Sequence, residues 1–291
     1  MIVLQSERLR VEVSDPGEVP NTTTRFDRAG FVTEIILDGI HRFCASEPNN
    51  LSHRSSGGRG ICNEYVFDKS EEADIGEAFP KFGVGLLEKK TSEPYYFAEI
   101  YNVVQPYPVS IKADENRAIF KTEPLECISY SVEQLKIVEV VGNELSVSVS
   151  LKNTGILPIE GGEYCHNFLT LNGMALGPDY RLEFLNEQDL GASTPGGLLS
   201  FSGNSVMIPR YDSSAGIEYI SMDKIKRRDD FCWTLSNPAA GAQIRVRDEI
   251  DLCKLIIWAA DHIISVESFH KLSLQPGESS NWKRVWLFEQ L

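Results

Sequence analysis

The chain has 291 residues, with 28 Lys and Arg against 42 Asp and Glu, for a formal net charge of −14. That balance excludes a protein that holds nucleic acid by neutralising phosphates, and equally a polybasic membrane-surface protein. A hydrophobic share of 42% supplies a sizeable core and excludes disorder. Length alone suggests two domains, although large all-β architectures run this long as one.

Met1-Ile2-Val3-Leu4 turns polar by Arg10, too short for a signal-peptide core. The longest apolar run, Leu255–Ala260, falls far short of the roughly 20 residues a bilayer span needs. Cys44, Cys62, Cys127, Cys165, Cys232 and Cys253 form no CxxC pair. They read as small hydrophobes in a reduced compartment, not as a metal site or disulfide framework. The expectation is a cytoplasmic protein with no membrane partner.

Period-2 alternation dominates from the start. Leu9-Arg10-Val11-Glu12-Val13 predicts a strand with one wet face, closed by Asp15-Pro16-Gly17. Asn21-Thr22-Thr23 and Asn50-Leu51-Ser52 match the glycosylation tripeptide, but no secretory signal gives them meaning. Val132–Val140 fits helix or strand. Leu145-Ser146-Val147-Ser148-Val149-Ser150-Leu151 places aliphatics on one face and serines on the other before the Asn153-Thr154-Gly155 turn.

Farther on, Arg181–Leu190 predicts a short helix and Ser193–Gly203 a surface loop. Lys224-Ile225-Lys226-Arg227-Arg228, followed by two aspartates, reads as a solvated loop. Strand patterning returns in Ile244-Arg245-Val246-Arg247 after the Asn237-Pro238 turn, and in Leu272-Ser273-Leu274 before Pro276-Gly277. With no linker and no period of 20–50 residues, residues 1–291 are expected to form a single, mostly antiparallel all-β domain.

The common catalytic signatures are missing: there is no phosphate loop, dinucleotide fingerprint, serine elbow or HExxH. Cys165 adjoins His166, but strand neighbours point to opposite faces, so they do not make a Cys–His pair. His166 follows a turn and sits among Tyr164, Asn167 and Phe168, which suits a polar cleft with an aromatic wall. Glu267 lies in the strand-like Ile263–Phe269 run. If Val266 faces the core, Glu267 faces the other way, where a lone carboxylate is ordinarily solvated. Taken together, a histidine of pKa ~6.5 and a carboxylate made basic by burial suit proton movement on a neutral, hydroxyl-rich substrate without a cofactor.

The order of segments resembles that of the aldose 1-epimerase (galactose mutarotase-like) family in its divergent branches. Thr24–Gly30 with Val32–Leu37 is similar to the opening strand pair, and Gly57-Gly58-Arg59-Gly60 through Tyr65 to the glycine-rich, sugar-facing segment. Ala78–Leu86 falls where many relatives carry His-Gly. Tyr164-Cys165-His166-Asn167-Phe168 is similar to the strand bearing the acid histidine, and Trp258 with Ile264–Glu267 and Pro276-Gly277 to the C-terminal strand bearing the base.

This resemblance implies a large antiparallel β-sandwich, a supersandwich, with a cleft across one sheet and a small-molecule carbohydrate as partner. It implies Glu267 as the base on the anomeric hydroxyl and His166 as the acid on the ring oxygen, their roles reversing on ring closure. Lys81 stands where relatives carry a second histidine. With Arg59 and Arg25 nearby, it suits an acidic or phosphorylated sugar, and a net negative chain still permits a local basic cleft. Asn63 and Glu64 are weaker substrate-binding candidates, and Trp258 serves either a sugar face or the core. Two other readings fit the same cleft: a carbohydrate-binding module without turnover, and lyase or hydrolase chemistry on an acidic sugar.

Overall fold

In the computed structural model the described residues are 1–18, 24–49, 54–185, 198–208, 217–222, 231–260 and 262–291. The two glycosylation tripeptides, His53, the basic run 224–228 and residues 193–197 of the expected loop lie outside them.

Two large sheets dominate. The first runs β1 (Ile2–Gln5), β2 (Leu9–Val13), β3 (Val32–Leu37), β5 (Gly60–Val66), β13 (Ile159–Phe168), β21 (Ile263–Leu274), β20 (Leu252–Ala260) and β17 (Ile217–Met222), with β4 (His41–Arg42) paired to β3. The second runs β15 (Ser200–Ser202), β16 (Ser205–Met207), β14 (Arg181–Phe184), β18 (Phe231–Asn237), β19 (Ala242–Glu249), β22 (Ser279–Gln290), β12 (Glu144–Asn153), β11 (Val132–Val141), β10 (Arg117–Thr122) and β9 (Val109–Ala113). A small third sheet joins β6 (Ala78–Lys81), β7 (Gly85–Glu88) and β8 (Val103–Pro106). The strands pair antiparallel in all three, as in β13 against β21 and β12 against β22.

The alternation read from sequence is the alternation of burial. Leu145, Val147, Val149 and Leu151 are buried between the sheets, and Ser148 and Ser150 are only half-buried on the outer face. Val132–Val141 resolves as strand, its inward positions Val138 and Val140 fully buried. The expected helix over Arg181–Leu190 is not formed in its described part. Arg181–Phe184 is a strand of alternating exposure, paired with both β16 and β18. Leu182 and Phe184 go inward together at spacing two, a pattern that four residues cannot distinguish from one helical turn.

One extended core joins the facing sides of the two large sheets, from Val11 and Ile35 to Trp233 and Trp286. The other face of the first sheet is not left to solvent throughout. A smaller cluster of Phe26, Phe31, Phe168, Trp258 and Ile263 covers part of it, and there a cavity opens. Among the described residues no helix is long and apolar enough to cross a membrane.

Candidate active site

Strands β5, β13, β21 and β20 lie side by side, so antiparallel register lines their outward residues into rows. Glu64 pairs with Tyr164, Tyr164 with Phe269, and Phe269 with Lys254. In the next row Cys62 pairs with His166, and Glu267 with Ile256. In a third, Ser265 pairs with Trp258 and Trp258 with Tyr219. These rows floor a cavity of ≈ 440 Å³ whose walls include Arg25, Lys81, Tyr95, Tyr96 and Phe97.

His166 and Glu267 meet in this floor, with Nε2 at 3.0 Å from Oε1 and both side chains only 5% exposed. Glu267 is therefore not the solvated carboxylate that its strand position alone suggests. Val266, its neighbour, is fully buried toward the core, so the alternation itself is as expected. Cys165 likewise joins the core while His166 faces the cavity.

The strands part at this point. The β13–β21 ladder stops at Tyr164–Phe269 and resumes only as the isolated Leu169–Ile264 bridge. Between them, side chains replace the missing main-chain partners. Asn167 N–H donates to Ser265 Oγ at 3.1 Å, and Asn167 Nδ2 donates to the Val266 carbonyl at 2.7 Å. Ser265 Oγ also lies 3.1 Å from His166 Nδ1 and 3.4 Å from Glu267 Oε1, so one hydroxyl touches both members of the pair.

Aromatic rings fix the imidazole plane. Phe168 stacks on His166 at 3.8 Å and 4°, while Trp258 meets it edge-on at 5.7 Å. The glycine-rich segment makes the stack possible: a Cβ on Gly58 would fall 2.1 Å from the Phe168 ring. Glu47 holds that segment in place, accepting hydrogen bonds from the Ser56 and Gly58 amides.

Beside this pair lies a charged cluster. Arg25 Nε donates to Glu64 at 2.6 Å and Arg25 NH2 to the Tyr164 hydroxyl at 2.7 Å. Lys81 Nζ donates to Glu64 at 3.2 Å and to the Tyr65 carbonyl at 2.9 Å. Burial pushes the Glu64 carboxyl up, but Lys81, Arg25 and the Tyr164 hydroxyl overcome it and hold its pKa at about 2. Burial also raises the Tyr164 hydroxyl well above its ordinary range, so it remains a donor to Glu64.

Of the residues singled out from sequence, His166, Glu267, Lys81, Arg25, Glu64 and Trp258 come together around the one cavity. Asn63 and Arg59 do not join them. Asn63 is adjacent to Glu64 on a strand and so faces the opposite side, where it donates to Glu163 and accepts from Lys136. Arg59, its side chain 46% exposed, donates to the Thr33 carbonyl at the sheet surface. Lys81 is enclosed against Glu64, its side chain only 3% exposed. His41 and His270 bond within the scaffold, to Asn172 and to the Asp251 amide.

Sequence reasoning missed Ser265 and the aromatic run Tyr95-Tyr96-Phe97, whereas Phe168 forms the aromatic wall expected beside His166. A serine in an alternating strand reads as a wet-face residue. The run at 95–97 belongs to the long connection from Lys89 to Asn102, which has no periodicity to place it.

No protein-family model and no curated protein matches this chain. Solved structures match along its whole length. A galactose mutarotase-like protein from Lactobacillus casei is 14% identical over 99% of this chain and 100% of its own, with a TM-score of 0.59. The GalM/aldose epimerase homologue from C. elegans is 12% identical over 100% and 98%, at 0.57. A galactose mutarotase-like protein from Clostridium acetobutylicum is 10% identical over 99% and 95%, at 0.59. At such identities the likeness is one of architecture, and the chain has the galactose mutarotase-like β-sandwich fold in a divergent form.

Proposed function

We propose that residues 1–291 form one domain that interconverts the anomers of an aldose or close derivative, with Glu267 as base and His166 as acid. The observation that carries this reading is the 3.0 Å approach of His166 Nε2 to Glu267 Oε1 in the cavity floor. An anomeric carbon bears two oxygens, the hydroxyl and the ring oxygen, and an acid and base this close can address both at once.

Glu267 removes the anomeric hydroxyl proton while imidazolium Nε2–H protonates the ring oxygen. The bond from the anomeric carbon to the ring oxygen breaks, leaving an open-chain aldehyde. Rotation turns the other face of the carbonyl toward the hydroxyl. Reclosure returns the first proton to the carbonyl oxygen and the second to His166.

Hydrogen-bond arithmetic at Ser265 supports a proton on His166 Nδ1. Ser265 Oγ already accepts from Asn167 N–H, retains one lone pair and has one proton to give. Nδ1–H fills the lone pair, and the hydroxyl proton goes to Glu267, so all three contacts are satisfied together. Ser265 is then a positioning residue that presents Nε2 toward the substrate. Lys81 and Arg25 both serve Glu64, which supports a wall of fixed donors for sugar hydroxyls more than a grip on a substrate carboxylate.

Anomer exchange, followed by NMR or polarimetry over a panel of aldoses, tests the proposal. Catalysed exchange is expected with at least one sugar, lost by about 10²–10⁴-fold in Glu267→Gln. Exchange that survives this substitution, or its absence from every aldose, overturns it.

A further inference from the structure

The cavity does not end at the His166–Glu267 floor, and its outer part is built differently from its inner part. Tyr96 is 53% exposed and Tyr219 57%, yet both line the cavity. Large aromatic rings gathered at the mouth of a pocket mark a contact surface, because scattered exposure would not place them on one opening.

These rings are held in place. The Lys89–Asn102 connection is anchored at its base, where Tyr95 and Tyr101 stack on each other at 5.2 Å and both meet Phe79 edge-on. The Tyr95 amide donates to Ser70 Oγ, and the Tyr96 amide to the Tyr101 hydroxyl. Tyr96 is thereby presented outward on a packed support. From the opposite side Tyr219 stands on β17, register-paired with Trp258 of the cavity wall. Polar groups share the same lining: Asp68 is exposed, and Lys254 is half-buried over the Phe269 ring at 5.5 Å.

Apolar ring faces interspersed with a carboxylate and an ammonium are what a pyranose needs, with its C–H face to stack and its hydroxyls to bond. The cavity is also larger than one sugar ring fills. Resting on the reading of the inner site given above, we infer that the mouth is a second sugar subsite and that the preferred substrate is the reducing end of an oligosaccharide. The reducing ring enters to His166 and Glu267, and the next ring rests between Tyr96 and Tyr219.

The test compares aldohexoses and aldopentoses with 1,4-linked disaccharides bearing the same reducing-end ring, by NMR exchange and by calorimetric binding. The wild-type protein is expected to show a kcat/KM about tenfold higher for the disaccharide, a gain of one stacked ring. The double substitution Tyr96→Ala with Tyr219→Ala should abolish that preference through KM, and Tyr→Trp at the same positions should restore it. Equal kcat/KM for the two sugars, or a preference that survives the double substitution, overturns the subsite and leaves the inner-site reading intact. Disaccharide binding that depends on the two tyrosines, without exchange of any sugar, retains the subsite and rejects the epimerase. Failure of every sugar to bind rejects the subsite.

Discussion

Strand β13 carries ionisable groups on both faces, and the two faces use them in opposite ways. Toward the second sheet, Glu163 takes Arg284 NH1 at 2.8 Å and Asn63 Nδ2. Asn63 accepts from Lys136, which also binds Asp27 at 2.6 Å. These contacts run from sheet to sheet through the core and set buried charge against buried charge. Toward the cavity, the polar contacts of His166 and Glu267 among the described residues are with each other and one hydroxyl, and both side chains line open space. Compensation closed inside the protein fastens the sheets, whereas compensation left open toward a cavity is available to a ligand.

Breaking the closed side should cost the most. Arg284→Met leaves Glu163 and Asp248 buried without their cation, and a loss of about 3–5 kcal/mol is expected in urea unfolding. A loss under about 1 kcal/mol would refute the fastening role. On the open side Glu267→Gln should do the reverse, removing most activity while shifting the unfolding midpoint little. A parallel collapse of stability would show that the two faces are not separable.

Asp248 sharpens the contrast within the closed network. Burial raises its pKa from 3.8 to about 6 against the pull of Arg284. The folded state thus holds this proton more tightly than the unfolded chain. The resulting stabilisation is complete below pH 3.8 and disappears as pH rises through about 6, up to about 3 kcal/mol in all. Asp248→Asn should therefore be the more stable protein near neutral pH, with no advantage in acid, when the two unfolding curves are compared.

Smaller effects fall at the edges of the site. Ser265→Ala should lower kcat about tenfold. Ser265→Thr should restore the rate, and an unchanged kcat in Ser265→Ala would refute the positioning role. Arg59→Ala should change stability and activity by less than about 0.5 kcal/mol, and a larger loss of activity would return it to the site.

The fold was legible wherever burial has two distinct sides. Leu145–Leu151 shows its strand in the residues themselves, since every second side chain enters one core. Arg181–Phe184 was misread because four residues carry too little pattern. His166 and Glu267 stood out through chain order, but their approach depends on a local parting of strands that no spacing records. Asn63 and Glu64 were taken together although adjacency on a strand separates them by the thickness of the sheet. Tyr96 and Tyr219 come from an irregular connection and a distant strand, so only the folded molecule brings them to one opening.

The stitching of β13 to β21 by Asn167 and Ser265 has a consequence for how the chain finds its alignment. A slip of one residue between neighbouring strands exposes the core, and hydrophobic patterning alone forbids it. A slip of two leaves every side chain on its proper face, so patterning does little to oppose it. At the stitch such a slip carries the Ser265 hydroxyl away from the Asn167 amide and the Val266 carbonyl away from the Asn167 carboxamide. Two short polar side chains thereby act as a vernier, selecting the single setting of these strands that brings residue 166 opposite residue 267.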